Sequence, residues 1–291
     1  MFRYLIEKTV LLIDLILKNI FNKIGFSQII HDILEGNQYF KKRINNKNLK
    51  FFCPSRRSLM KVIEYERYEP ETTAWISQFK KIKKQKIFWD IGAQIGLHSI
   101  FAATKFKNIK VISFEPSTSN LRILSRNISI NSLSNKINII SLPISEKLKI
   151  SYFKETKFVE AQAESTFGED YNYKGEQLKD RDIKNKYKLL GLNLDFLIEK
   201  KILDVPNFIK MDVDGIEPLI LKGALKLMKN KKLKEILIET NPDFKKNYKF
   251  IKNFLISNKF KKISSKKGNL LKNKKYKRKK NEILNEIYIR K

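Results

Sequence analysis

With 291 residues and 42% hydrophobic content, the chain can bury a real core; that excludes a disordered or fibrous protein and leaves room for one large domain with an appendage. Its net charge of +31 raises nucleic acid and anionic surfaces as partners, but the excess is mostly Lys scattered among Ile and Asn; a clustered stripe, which a nucleic-acid footprint needs, stands only near the C-terminus. Cys53 is the single cysteine, so an internal disulfide is excluded and a reducing compartment fits.

Met1 to Ile24 reads as an apolar helix whose polar residues Arg3, Glu7, Asp14 and Lys18 fall on one narrow stripe. Such a helix must be covered, by the main domain, by a second copy of the chain, or by a membrane interface. Its longest apolar run, Thr9 to Leu17, contains Asp14 and falls short of the roughly 20 residues of a span. No basic leader or small-residue cleavage pattern marks a signal peptide. A cytoplasmic protein, with peripheral membrane contact as the variant, is the expectation. Lys50 to Cys53 and Leu59 to Tyr65 read as short strands, and Tyr68-Glu69-Pro70-Glu71 leads into a helix from Thr72 to Phe79. Lysine-rich residues 80–86 then divide a mainly helical extension, 1–80, from the main domain, 81–291.

In the main domain strands and helices alternate. The strands are Phe88 to Ile91, Val111 to Phe114, Ile137 to Leu142, Phe208 to Val213, Glu235 to Glu239, Lys259 to Ser264 and Glu282 to Ile289. Helices fall at Gly96 to Thr104, Thr118 to Asn131, Glu217 to Met228 and Asp243 to Ser257. Alternation of this kind means a parallel α/β sheet covered on both faces. The seventh strand follows the sixth through a loop rather than a helix, so it inserts antiparallel. A long interruption from Glu146 to Val205, with a strand at Lys149 to Phe153 and a short helix at Leu194 to Lys200, is of a length that usually serves a ligand.

The organising unit is Ile87-Phe-Trp-Asp-Ile-Gly-Ala-Gln-Ile-Gly96, a buried strand ending near Asp90, a glycine turn, then a helix. Gly92 and Gly96 permit positive φ and close approach of a ligand to main-chain N–H groups. Glu115, at the end of the next strand, stands about where nucleotide-binding βαβ units place the acid that holds ribose hydroxyls.

The pieces Phe88 to Gly96, Phe114-Glu-Pro116, Pro143-Ile-Ser-Glu146, Lys210-Met-Asp-Val-Asp-Gly-Ile-Glu217 and Lys222-Gly-Ala224 together resemble the FkbM family of S-adenosylmethionine-dependent methyltransferases. The resemblance runs from about Tyr68 to the C-terminus. It implies a Rossmann-like, class I methyltransferase fold and methyl transfer from S-adenosylmethionine, usually to a hydroxyl oxygen of a sugar, glycan or secondary metabolite. Asp90 then takes the methionine amino group, the Gly92 to Gly96 turn receives the cofactor backbone, and Glu115 accepts from the ribose. Gln94 stands where the family usually has asparagine, and Ile144 and Ser145 hold adenine. Asp212, Glu239 and Asn241, at neighbouring strand ends, are the candidates for the acceptor side, as base or as ligands of one Mg²⁺.

Each residue also has a plainer role. Asp90 can cap a helix and Glu115 can simply end a strand. Asp214 can cap the helix that Glu217 opens, and His98 packs on the glycine turn. Two other classes are open. A nucleic-acid base methyltransferase explains the charge, but it typically carries Asn/Asp-Pro-Pro-Tyr after the fourth strand, where this chain has Asp212-Val213-Asp214-Gly215. A non-catalytic binding protein can share the fold. Seven cations between Lys272 and Lys280 suggest an anionic acceptor, and a homo-oligomer is compatible with the apolar N-terminal helix.

Overall fold

The computed structural model describes residues 2–21, 31–33, 35, 37–80, 82, 85–266 and 283–291. Helix α1, Phe2–Phe21, falls on the expected N-terminal helix. A hairpin follows, β1 Tyr39–Ile44 and β2 Lys47–Phe52, then α2 Arg56–Tyr68 and α3 Pro70–Ser77. The segment Leu59 to Tyr65, expected as a strand, lies inside α2. Its start is fixed by a reciprocal cap, in which Ser58 N–H donates to Ser55 Oγ at 3.2 Å and Ser55 N–H donates to Ser58 Oγ at 3.1 Å. The buried residues Ser58, Val62 and Tyr65 repeat at helical spacing.

The main domain continues with β3 Lys86–Ile91, α4 Leu97–Lys105, β4 Ile109–Phe114, α5 Thr118–Ile130 and β5 Ile137–Ile140. The long interruption forms three strands, β6 Lys149–Glu155, β7 Ser165–Phe167 and β8 Asn185–Gly191, paired antiparallel in the order β7-β6-β8. Two of these were not evident from the sequence. After α6 Leu194–Glu199 come β9 Phe208–Met211, α7 Glu217–Lys222, α8 Leu225–Lys229, β10 Glu235–Thr240, α9 Lys245–Ser257, β11 Phe260–Lys266 and β12 Leu284–Arg290. One helix was expected from Glu217 to Met228. It divides at Gly223, where the loop after β5 crosses so closely that a Cβ would meet the Ser145 carbonyl oxygen at 2.5 Å.

The seven main strands run in the order β11-β12-β10-β9-β3-β4-β5. Registers are parallel from β10 through β5, and β12 pairs antiparallel with both neighbours. This is the mostly parallel, Rossmann-like sheet with an antiparallel last strand that the alternation implies. Period-two alternation distributes β3 between two cores: Phe88 enters one cluster, and Trp89 and Ile91 the other. The first cluster also takes Phe51, Phe52, Trp75 and Phe79 from the segment before residue 80. Phe79 stacks on Phe208 with ring centroids 3.8 Å apart, and Trp75 Nε1 donates to Glu235 Oε2 at 2.9 Å. Residues 39–79 thus pack directly on the first face of the sheet.

Helix α1 exposes Leu5, Leu11, Leu12, Leu15 and Ile20 by more than half, while Asp14 is 7% exposed and ion-paired with Lys18. No helix among the described residues is long and apolar enough to cross a membrane. Of the basic loop expected from Lys266 to Asn281, Lys266 ends β11 and the rest lies outside the described residues.

Candidate active site

The turn after β3 is built by packing as much as by its glycines. The N–H groups of Gly92 and Ala93 both donate to the Phe114 carbonyl at 3.0 Å, which pins the turn to the end of β4. Gly92 has φ +83°, and a Cβ there would lie 1.8 Å from the Asp212 carbonyl oxygen; the end of β9 occupies the space a side chain would need. Gln94, at φ +52°, donates its N–H to Glu115 Oε2 at 2.7 Å and its Nε2 to the Gln162 carbonyl at 2.8 Å. Glu115 Oε1 accepts from Ser117 N–H at 2.9 Å and from Asn120 Nδ2 at 3.4 Å. Burial lifts its carboxyl to about 7, against the pull of those donors.

Beside this turn lies a cavity of about 450 Å³, within the size of small-molecule sites. Gly92, Gln94, Glu115, Ile144, Asp212 and Glu239 line it. The other four expected site residues do not. Asp90 is 1% exposed, its Oδ2 accepting from Ser99 Oγ at 2.6 Å beneath α4 and its Oδ1 without a partner among the described residues. Gly96 starts α4 in the left-handed region, at φ +86°. Ser145 donates its N–H to the Leu192 carbonyl at 2.7 Å and is 2% exposed. Asn241 accepts from Asp243 N–H at 3.0 Å and donates to the Tyr173 carbonyl at 3.3 Å.

Much of the remaining lining is ionisable. Lys210, 2% exposed, donates to Asp212 Oδ2 at 2.7 Å. Burial works against both charges, but each outweighs it for the other, so the Asp212 carboxyl is held down and the Lys210 ammonium stays charged. Burial, then the Asp212, Asp214, Glu217 and Glu69 carboxylates, push Glu239 well above the carboxylate range. Burial and then Lys210 lower His98 to about 3, leaving it neutral, with Nε2 3.7 Å from Glu69 Oε2. Instead of capping α7, Asp214 Oδ2 accepts from the N–H groups of Glu164 and Ser165 at 2.7 and 3.3 Å, and burial lifts its carboxyl to about 6. Glu217 Oε1 accepts from Val213 N–H at 3.1 Å and Gly215 N–H at 3.3 Å, closing the β9 loop on the helix it opens; burial lifts it to about 7.

Among the described residues no group of three or more His, Cys, Asp or Glu is arranged to hold a metal ion. The set considered for Mg²⁺ is otherwise engaged, Asp212 with Lys210 and the Asn241 amide with the main chain. Sequence reasoning missed Lys61, Tyr65, Glu71, Gln162, Lys210 and Asn285, all of which line the cavity. A signal existed for Lys210, a charge inside the apolar strand Phe208–Met211, because fully buried lysines are rare unless paired. None existed for Glu71 or Asn285, which only the tertiary fold brings together.

Residues 90–263 match the family model described as the methyltransferase FkbM domain. The chain belongs to the FkbM methyltransferase family. Methyltransferase sdnD of Sordaria araneosa is 26% identical over 152 residues, 46% of this chain and 59% of that protein. A solved FkbM methyltransferase from Methylobacillus flagellatus KT is 15% identical, covering 90% of this chain and 59% of the other at a TM-score of 0.46. The structure of M. capricolum TrmK, solved in complex with S-adenosyl-homocysteine, is 11% identical, covering 75% of this chain and 66% of the other at a TM-score of 0.39. This chain therefore spans 59% of the length of the first two. Lys61, Tyr65, Glu69, Glu71 and Asn285 lie outside the matched FkbM segment.

Proposed function

We propose that this FkbM-family chain is an S-adenosylmethionine-dependent O-methyltransferase acting on a hydroxyl of a sugar, glycan or secondary metabolite. The observation that carries the reading is the Glu115 carboxylate held on the cavity wall by the Gln94 N–H of the glycine turn. The surroundings suit a nucleoside. Asn120 Oδ1, both polar atoms of the Gln162 amide and Thr166 Oγ1 are buried without partners among the described residues, and all three residues line the cavity. Leu142 and Ile144 offer apolar surface beside them.

S-adenosylmethionine, when bound, supplies a sulfonium methyl as the electrophile. The chain's residues have separate tasks. Glu115 accepts from ribose hydroxyls, as a carboxylate with lone pairs left over from its protein donors can. Gln162 and Asn120 offer amide groups to the base, and Ile144 packs on it. Lys210 keeps Asp212 ionised and fixed, so Asp212 is a poor proton acceptor and serves to orient. Glu239, whose carboxyl has a raised pKa, is the better matched base for an acceptor hydroxyl; a proton transferred to one of its oxygens stays in the cavity.

Calorimetric titration with S-adenosylmethionine tests the cofactor half: micromolar binding that Glu115→Ala weakens is the expected result, and no binding by the native chain refutes it. Radiolabelled methyl transfer to a panel of glycosides, lipid-linked sugars and polysaccharide fragments tests the rest. Methylation of DNA or RNA instead would restore the nucleic-acid alternative, and binding without transfer to any acceptor class the non-catalytic one.

A further inference from the structure

We propose that the cavity wall centred on Glu71 and Asn285 is an acceptor subsite that selects a neutral, hydroxyl-rich group and rejects phosphate and carboxylate. The inference rests on the functional reading above, which gives the Gly92 and Glu115 side of the cavity to S-adenosylmethionine.

Glu71 stands in the first turn of α3 and Asn285 is the second residue of β12. They are 3% and 8% exposed, and both line the cavity. Asn285 Nδ2 donates to Glu71 Oε1 at 2.9 Å. That bond leaves Glu71 Oε2 and Asn285 Oδ1 without partners among the described residues, and the hydroxyl of Tyr65, a 3% exposed residue that also lines the cavity, is likewise unpartnered. Two of these three open groups are pure acceptors. A buried acceptor without a donor is unfavourable, and a pair of sugar hydroxyls supplies donors where the wall lacks them.

Glu69, Glu71, Asp212 and Glu239 line the cavity with Lys61 and Lys210, and burial raises the carboxyls of Glu69 and Glu239 toward their neutral form. Lys210 is bonded to Asp212 at 2.7 Å, and Lys61 lies in the field of Glu69 and Asp212. An incoming phosphate or carboxylate meets the unpartnered acceptors Glu71 Oε2 and Asn285 Oδ1 and brings them no donor, which leaves buried acceptors facing one another. The basic segment between β11 and β12 suggested an anionic acceptor from sequence; the Glu71 wall argues that whatever that segment attracts, the group entering the cavity is uncharged.

The test uses the whole chain saturated with S-adenosyl-homocysteine. Saturation-transfer NMR is recorded with methyl glycosides of glucose, galactose, mannose and rhamnose, and with glucose 1-phosphate and glucuronate. At least one neutral glycoside is expected to bind and both anions to fail. Glu71→Gln, which keeps the shape but turns one acceptor atom into a donor, is expected to weaken the neutral glycoside about tenfold, and Asn285→Ala likewise, with S-adenosyl-homocysteine affinity unchanged. Three results overturn the proposal: preference for the anions, no binding by any neutral glycoside, or unchanged glycoside binding in both variants with only a lowered melting temperature, which would make the pair a tie between α3 and β12. Failure to bind S-adenosyl-homocysteine is a separate outcome and refutes the cofactor reading instead.

Discussion

Replacing Gly92 with alanine probes the joint on which the site depends. Two costs are expected. The left-handed φ of +83° is unfavourable for a residue with a Cβ by about 1–2 kcal/mol. The added methyl would then sit 1.8 Å from the carbonyl oxygen and 2.9 Å from the carbonyl carbon of Asp212. These are backbone atoms of the residue after β9, so relief requires moving that strand end, an overpacking cost of about 1–3 kcal/mol. Gly96→Ala is the matched control. Its φ is +86°, but its Cβ would meet the Leu124 Cδ1 methyl at 2.5 Å, the far end of a side chain that can rotate. Urea denaturation should therefore show Gly92→Ala less stable than Gly96→Ala by about 1–3 kcal/mol. Because the displaced atoms adjoin Asp212, S-adenosylmethionine affinity should also fall in the first variant by more than in the second. Equal stabilities, or a larger loss in Gly96→Ala, would show that the β9 end yields freely and that the turn is not held by it.

Glu115→Ala should weaken S-adenosylmethionine at least about tenfold by removing charge-assisted hydrogen bonds worth about 1.5–3 kcal/mol; unchanged affinity in calorimetry refutes the ribose assignment. Burial raises the folded Glu115 carboxyl from 4.5 to about 7, so its protonated form favours the folded state. The contribution, about 3 kcal/mol at most, is present below pH 4.5 and lost as pH rises through 7. Glu115→Gln should flatten that decline in thermal melts across the window, and a parallel decline in the variant contradicts the assignment. Turnover should rise with pH through the elevated pKa of Glu239 and collapse in Glu239→Gln; a pH profile that is the same in the variant assigns the base elsewhere. An anionic bilayer is one of the covers considered for the exposed aliphatic face of α1, and a charge of +31 would be drawn to it. Sedimentation with phosphatidylglycerol vesicles should be lost when Leu11, Leu12, Leu15 and Ile16 become Ser, while equal sedimentation, or a change of oligomeric state instead, refutes that partner.

The order of strands and helices from β3 to β12 was legible in the sequence because it is local. Apolar runs such as Phe88 to Ile91 and Phe208 to Met211 are buried on both faces, and the glycines at 92 and 96 mark the turn that backbone geometry demands. Glu115 was legible for the same reason, since a short helical crossover fixes the distance from the glycine turn to the next strand end. Leu59 to Tyr65 was misread because a short apolar run fits both periods, and the Ser55 and Ser58 cap decides in favour of the helix.

Only the tertiary structure decided how the site is walled. Asp90 has the sequence position of a cofactor ligand, yet the pleat carries its side chain to Ser99 beneath α4 rather than to the cavity. Asn241 sits at a strand end, but its amide is taken up by the main chain. Glu71 and Asn285 lie far apart in the chain with nothing around them in the sequence to connect them, and they meet because β12 inserts between β10 and β11 and carries its start to α3. Sequence by itself determined the sheet, the turn and the place of Glu115 beside it, which are set by short-range periodicity and backbone conformation. Which carboxylates are paired, raised or left open is set by burial and by neighbours from distant segments, and those exist only once the chain has folded.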